Sequence, residues 1–130
     1  MAGQLTLSTL SDGTNSTSST NCIKGSAKAW VNFSCPSSTV TVNGQFNVSS
    51  VTRNSTGNYT LAFTTALTNQ YYVPTLSVGN NNGTQTAVIL SGGNTSAPTL
   101  KTTSQLQIWV GGTAGTALDN AEINVAILGG

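Results

Sequence analysis

Asp119 and Glu122 stand three residues apart in a chain of 130 residues that contains no histidine. Two carboxylates are the minimum equipment for hydrolysing a glycosidic bond, one acting as acid and the other as base or nucleophile. At this spacing in an extended strand the two side chains point to opposite faces, so the pair does not converge. The lack of histidine excludes Ser-His-Asp and Cys-His nucleophile systems. It also excludes the usual zinc site, because Cys22 and Cys35 alone cannot fill one. No acidic cluster suits calcium. Gly111-Gly112-Thr113-Ala114-Gly115 has the glycine content of a phosphate loop. It lacks the Lys-Ser/Thr ending and no helix is predicted after it. These residue types predict a protein that is not an enzyme and holds no metal or cofactor.

The aromatic residues suggest binding instead. Trp30, Tyr59, Tyr71, Tyr72 and Trp109 accompany many Asn and Gln donors, a combination that suits carbohydrate. Tyr59 and Tyr72 fall in the apolar register and are predicted to be structural. Trp30 and Trp109 lie opposite the main apolar row. Either a second layer or a subunit covers them, or they are exposed to a ligand such as a glycan.

The hydrophobic share is 37% and the charged share only 5%, against roughly 25% charged in ordinary domains. Strand edges are usually protected by Lys and Glu, so edges here call for cover by loops or by neighbouring subunits. A net charge of +1 argues against nucleic acid, which needs clustered Lys and Arg. Lys24 and Lys28 are the nearest approach to a cluster and read as a solvated face. No apolar run reaches the length of a membrane span, and Met1 to Thr6 do not read as a signal peptide. Cytosolic synthesis makes free thiols the default for Cys22 and Cys35. A bond between them would need the chain to turn back and later oxidation. Seven N-x-S/T sequons follow from the abundance of Asn, Ser and Thr.

The elements that must position these residues are short alternating strands. Phe46 to Ala66 predicts a β-hairpin. Tyr59, Leu61 and Phe63 share one face of its second arm, and Phe46 and Val48 share one face of its first. Val51 breaks that parity, and a bulge at Ser49–Ser50 would restore it. Arg53 to Asn58 forms the tip, a loop that could touch a neighbour. Further strands are predicted at residues 27–33, with Ala27, Ala29, Val31 and Phe33 inward, and at 39–42. Asn43-Gly44 predicts a tight turn. Strands follow at 71–78, with Pro74 marking an edge or bulge, and at 84–91, with Ala87 to Leu90 apolar on both faces. The last two are predicted at 99–110, with Leu106, Ile108 and Val110 inward, and at 122–128, with Ile123, Val125 and Ile127 inward. About eight strands at this spacing predict an all-β antiparallel β-sandwich, jelly-roll-like. Residues 21–130 form that domain. Residues 1–20 form an arm, with a possible short strand at 4–8 and then an irregular Ser/Thr/Asn-rich linker. The arm is either a loose terminus or an attachment element docking through Leu5, Leu7 and Leu10.

Ile23-Lys24 and then Lys28-Ala29-Trp30-Val31-Asn32-Phe33 resemble the IKAWVNF signature of modules at the ends of tailed-bacteriophage fibres and related virion proteins. The 46–66 hairpin is similar to that family's FNVSSVTRNGTGDYTVNF stretch. Ala97-Pro98-Thr99-Leu100 and Ile123 to Ile127 also fit, so the resemblance covers residues 22–130. Gly25-Ser26-Ala27 stands inserted between the two halves of the signature. Cys35-Pro36 replaces glycine and polar residues. The resemblance implies a homotrimeric structural protein of a virion, made in the bacterial host cytoplasm. In the family the module often ends a long fibre, whereas here only a short arm precedes it. That favours a capsid decoration or cement protein anchored by the arm to other virion proteins. The alternative is a tail or fibre knob that binds the host surface through a glycan.

Overall fold

The computed structural model describes residue 3, residues 6–79, residues 85–90 as backbone, and residues 101–112 and 116–130. Ten strands and one helix follow in order: β1 (Thr9–Ser11), β2 (Ser16–Ser18), α1 (Ser19–Gly25), β3 (Ala27–Ser34), β4 (Thr41–Phe46), β5 (Val48–Ser55), β6 (Asn58–Phe63), β7 (Val73–Val78), β8 (Gln85–Leu90), β9 (Gln105–Gly112) and β10 (Ile123–Leu128). β1 and β2 pair with each other. The remaining eight strands make two four-stranded sheets, ordered β4-β3-β10-β7 and β5-β6-β9-β8. Every pairing is antiparallel. The all-β sandwich read from the sequence is therefore present.

Period-two alternation explains how the sheets meet. Ala29, Val31 and Phe33 of β3, Ile123, Val125 and Ile127 of β10, Tyr59, Leu61 and Phe63 of β6, and Leu106, Ile108 and Val110 of β9 are all buried. They join in one core. Burying each large apolar side chain favours the fold by about 1.5–3 kcal/mol. The ring of Phe33 meets that of Tyr59 edge-on at 5.1 Å, tying the first sheet to the second. Phe63 and Tyr72 repeat the arrangement at 5.8 Å.

Several local expectations hold, and others are corrected. The register skips between Val48 and Ser50, the expected bulge, and Val51 packs against the core. Phe46, however, does not share a face with Val48. It ends β4 in the first sheet and is exposed, whereas Val48 begins β5 in the second. Between them Asn47 takes a positive φ of 53° and turns the chain from one sheet to the other. Its side-chain amide donates to Lys28 O and Thr65 O and accepts from Thr65 N–H, so the corner is held by one residue. Asn tolerates this left-handed conformation better than most residues.

Asn43-Gly44 is not a turn either, because β4 runs straight through it. The register shifts there so that Asn32 faces Gly44 and Phe33 faces Val42. A Cβ on Gly44 would come within 3.3 Å of the Trp30 ring. The glycine provides room for the indole, not a reversal of the chain.

β7 begins at Val73, after the buried Tyr72, and forms the edge of its sheet, which accommodates Pro74. β9 starts at Gln105, later than expected, because the Thr102 hydroxyl accepts from the N–H groups of Ser104 and Gln105 and bends the chain. It continues through Gly111 and Gly112, so these are strand residues, not loop. β8 sits at a sheet edge. The reading of Ala87 to Leu90 as apolar on both faces lies outside the described side chains. Thr113 to Gly115, residues 80–84 and residues 91–100, Ala97 to Leu100 among them, lie outside the described residues. Ala27, expected inward, is exposed beside the shifted pair Leu128–Ala27.

The arm is more regular than its composition implied. Gln4 and Leu5 are outside the described residues, and Thr6 to Ser8 are not strand. β1 and β2 form a hairpin whose turn is closed by the Asp12 carboxylate, which accepts from Thr14 and Asn15 N–H. These bonds hold the Asp12 carboxyl below its ordinary value. Ser18 then caps α1 by accepting from Asn21 N–H. The same short polar side chains that suggest a linker close turns and cap helices when the chain reverses.

Candidate functional site

The acids do not form a pair. Asp119 accepts from Arg53 Nε and Nη2, from Gly57 N–H and from the Tyr59 hydroxyl at 2.6 Å. Its ion pair with Arg53 is 2.7 Å long. Burial pushes the Asp119 carboxyl up, but the bonds from Arg53, Gly57 and Tyr59 outweigh this and hold it at about 2. Burial first, and then the bond to Asp119, push the Tyr59 hydroxyl up. The result is a fastening that locks the β5–β6 tip to the 117–120 segment. The tip, read as a loop that could touch a neighbour, is held to its own chain through Asp119. Glu122 is exposed and accepts from Asn124 Nδ2, away from this cluster. Among the described residues no group of three His, Cys, Asp or Glu could hold a metal. Cys22 and Cys35 are free thiols, the first partly exposed on α1 and the second buried in the core.

Trp30 and Trp109 lie on opposite outer surfaces of the sandwich. Their neighbours in β3 and β9 point into the shared core, so the two indoles point away from it in opposite directions. They cannot form one platform. Trp109 is half-buried, and its indole lies across Gly111 of its own strand, where an added Cβ would be 1.9 Å away. Trp30 is 42% exposed.

Around Trp30 the register builds two rows across the first sheet. One reads Phe46, Trp30, Ala126 and Thr75. The next reads Gly44, Asn32, Asn124 and Ser77. Ala126 has almost no side chain, so the surface dips between Trp30 on β3 and Thr75 on β7. The dip is a groove of about 340 Å³ whose lining includes Trp30, Asn32, Thr75, Ser77, Asn124 and Ala126. Its amides are oriented by a chain of bonds: Asn43 Nδ2 to Asn32 Oδ1, Asn32 Nδ2 to Asn124 Oδ1, and Asn124 Nδ2 to Glu122 Oε1. Thr75 Oγ1 donates to Ala126 O. Parity alone identifies Asn32 as a companion of Trp30. Asn124, Thr75 and Ser77 arrive from strands far along the chain, and only the pairing of β10 with β3 and β7 brings them in.

The arm forms a second unsatisfied surface. Leu7 and Leu10 are exposed, as is Ile23 on α1, none of whose residues is buried. Leu5, the third predicted contact, lies outside the described residues. The edge strand β4 adds exposed Val42 and Phe46. No helix among the described residues is long and apolar enough to cross a membrane. In comparisons with protein-family profiles, curated proteins and solved structures, nothing matches this chain.

Proposed function

We propose that this protein is a non-enzymatic structural component of a tailed-phage virion, a decoration protein anchored to the capsid by its arm. The observation that carries this reading is the arm itself. It is folded into a hairpin and a capped helix, yet it holds Leu7, Leu10 and Ile23 out to solvent. An ordered element that leaves its apolar side chains uncovered is suited to docking on another protein. The fibre-module resemblance of residues 22–130 supplies the virion setting. Both acids outside the arm are engaged by side chains of their own chain, which supports a non-catalytic role. The homotrimer belongs to the same proposal. Edge strand β4, with Val42 and Phe46 exposed and one backbone edge unpaired among the described residues, offers a surface for a second copy.

Copy number in purified particles tests the reading. A decoration protein is present in hundreds of copies, whereas a fibre knob is present in few, and isolated knob adsorbs to host cells. Removing residues 1–18 is expected to abolish capsid binding while leaving the melting temperature of the sandwich unchanged. Absence of the protein from particles would end the virion reading. Sedimentation of purified protein tests the trimer, and a monomer at micromolar concentration would refute it.

A further inference from the structure

We infer that the groove beside Trp30 is a binding site for an uncharged oligosaccharide. The inference does not depend on where in a particle the protein sits. It rests on four features of the outer face of the first sheet.

The first is a flat apolar surface. Trp30 is 42% exposed and borders the groove. Its ring reaches diagonally toward Gly44 of β4, and the absence of a Cβ there lets the indole settle close to that strand. An exposed indole offers an apolar surface on which the C–H groups of a pyranose can stack, an amphipathic contact for which tryptophan is well suited.

The second feature is shape. The groove spans β3, β10 and β7, and strands lie about 4.8 Å apart, so its walls stand roughly 10 Å from each other. That width admits one sugar ring. Ala126 forms the floor, flanked by Trp30 and Thr75.

The third is the polar lining. Asn32, Asn124, Thr75 and Ser77 offer amide and hydroxyl groups of both donor and acceptor character, matching the alternating needs of sugar hydroxyls. The amides are already oriented by the Asn43–Asn32–Asn124–Glu122 chain, so little side-chain freedom is lost when a ligand binds.

The fourth is charge. No Lys, Arg, Asp or Glu lines the groove. A sialylated or uronate-bearing glycan would find no cation among the lining residues to pair with its carboxylate, and the Glu122 carboxylate bonded to the lining Asn124 would oppose it. The face therefore selects for neutral sugars.

The second tryptophan provides an internal control. Trp109 occupies the opposite surface and lies across Gly111 on its own strand. The two indole N–H signals in a proton–nitrogen spectrum thus report separately on the two faces.

The experiment titrates the purified full chain with neutral oligosaccharides of glucose, galactose and N-acetylglucosamine, and with sialylated and uronate oligosaccharides as charged controls. The expected result is a shift of the Trp30 indole signal with at least one neutral series and none at Trp109. Trp30→Ala is expected to weaken binding at least tenfold. Ala126→Leu, which fills the floor, should do the same while retaining the wild-type melting temperature and the Trp109 signal. Binding that survives both substitutions would overturn the inference. So would preference for the charged controls, a response at Trp109 in place of Trp30, or no response to any neutral series at millimolar concentration.

Discussion

The tip of the β5–β6 hairpin and the outer face around Trp30 use polar residues in opposite ways. At the tip, Arg53, Gly57 and Tyr59 all direct their donors to one carboxylate, Asp119. Every strong group is engaged within the chain, and a loop that could have been free is fixed. Around Trp30 the amides are oriented but remain at the surface, and large apolar side chains stand uncovered beside them. The first region fastens the fold, whereas the second leaves an indole and amides at the surface. In a chain with so few charges, one well-placed ion pair can close the end of a sandwich, while neutral amides and an indole stay at the surface.

Substitutions distinguish the two regions, and the largest effect is expected at Gly57. Its φ is +68°, and an added Cβ would stand 2.2 Å from Val110 O and 2.9 Å from Leu118 N. Left-handed strain and overpacking against backbone together predict that Gly57→Ala costs about 3 kcal/mol in urea unfolding. A cost below about 1 kcal/mol would show that the tip can shift and is not locked.

Next comes Asp119→Ala, expected to cost about 2 kcal/mol because it leaves the buried Tyr59 hydroxyl without its acceptor. Acid titration gives a second readout. The folded carboxyl titrates at about 2, below its ordinary 3.8, so it favours the unfolded state less than the folded one at neutral pH. That stability is present above pH 3.8 and is lost as pH falls toward about 2. The melting temperature of the wild type should fall through this window, and that of Asp119→Asn should fall less. Parallel curves would show that the carboxylate contributes nothing through its charge.

A smaller loss, about 1 kcal/mol, is expected for Tyr59→Phe, which removes one bond and keeps the ring against Phe33. On the outer face around Trp30 and on the arm the changes in stability should nearly vanish. Trp30→Ala is expected to stay within about 1 kcal/mol of wild type, and Leu7→Ser with Leu10→Ser within about 0.5 kcal/mol, by thermal melting. Unfolding of either would place these residues with the structural set and erase the contrast between the two regions.

How much of this was legible in the residues differs by element. The buried rows of β3, β6, β9 and β10 could be read from alternation, because a strand with one face in a core must repeat every two residues. The bulge at Ser49–Ser50 could be read for the same reason, since Val51 needed it. The Asn43-Gly44 turn was misread because the signal for a reversal and the signal for close approach of a ring are the same residue, glycine. Phe46 was misplaced because alternation continues unbroken across Asn47, although the chain changes sheets there. The arm's hairpin and helix were hidden in a composition that reads equally as linker.

Trp30 could be placed on an outer face from the sequence, since parity turns it outward with Asn32. Its pairing with Trp109 could not be tested that way, because parity says which face of its own sheet a residue occupies but not how two sheets are stacked. By itself the sequence determined an all-β chain, an apolar face for each central strand, and a polar vocabulary almost free of charge. These follow from local geometry and composition. Only the tertiary structure decided that Asp119 receives the donors of Arg53, Gly57 and Tyr59, that Ala126 hollows a groove beside Trp30, and that the two tryptophans look away from each other. Those outcomes depend on which strands become neighbours. That is set by the burial of one shared core between residues far apart along the chain.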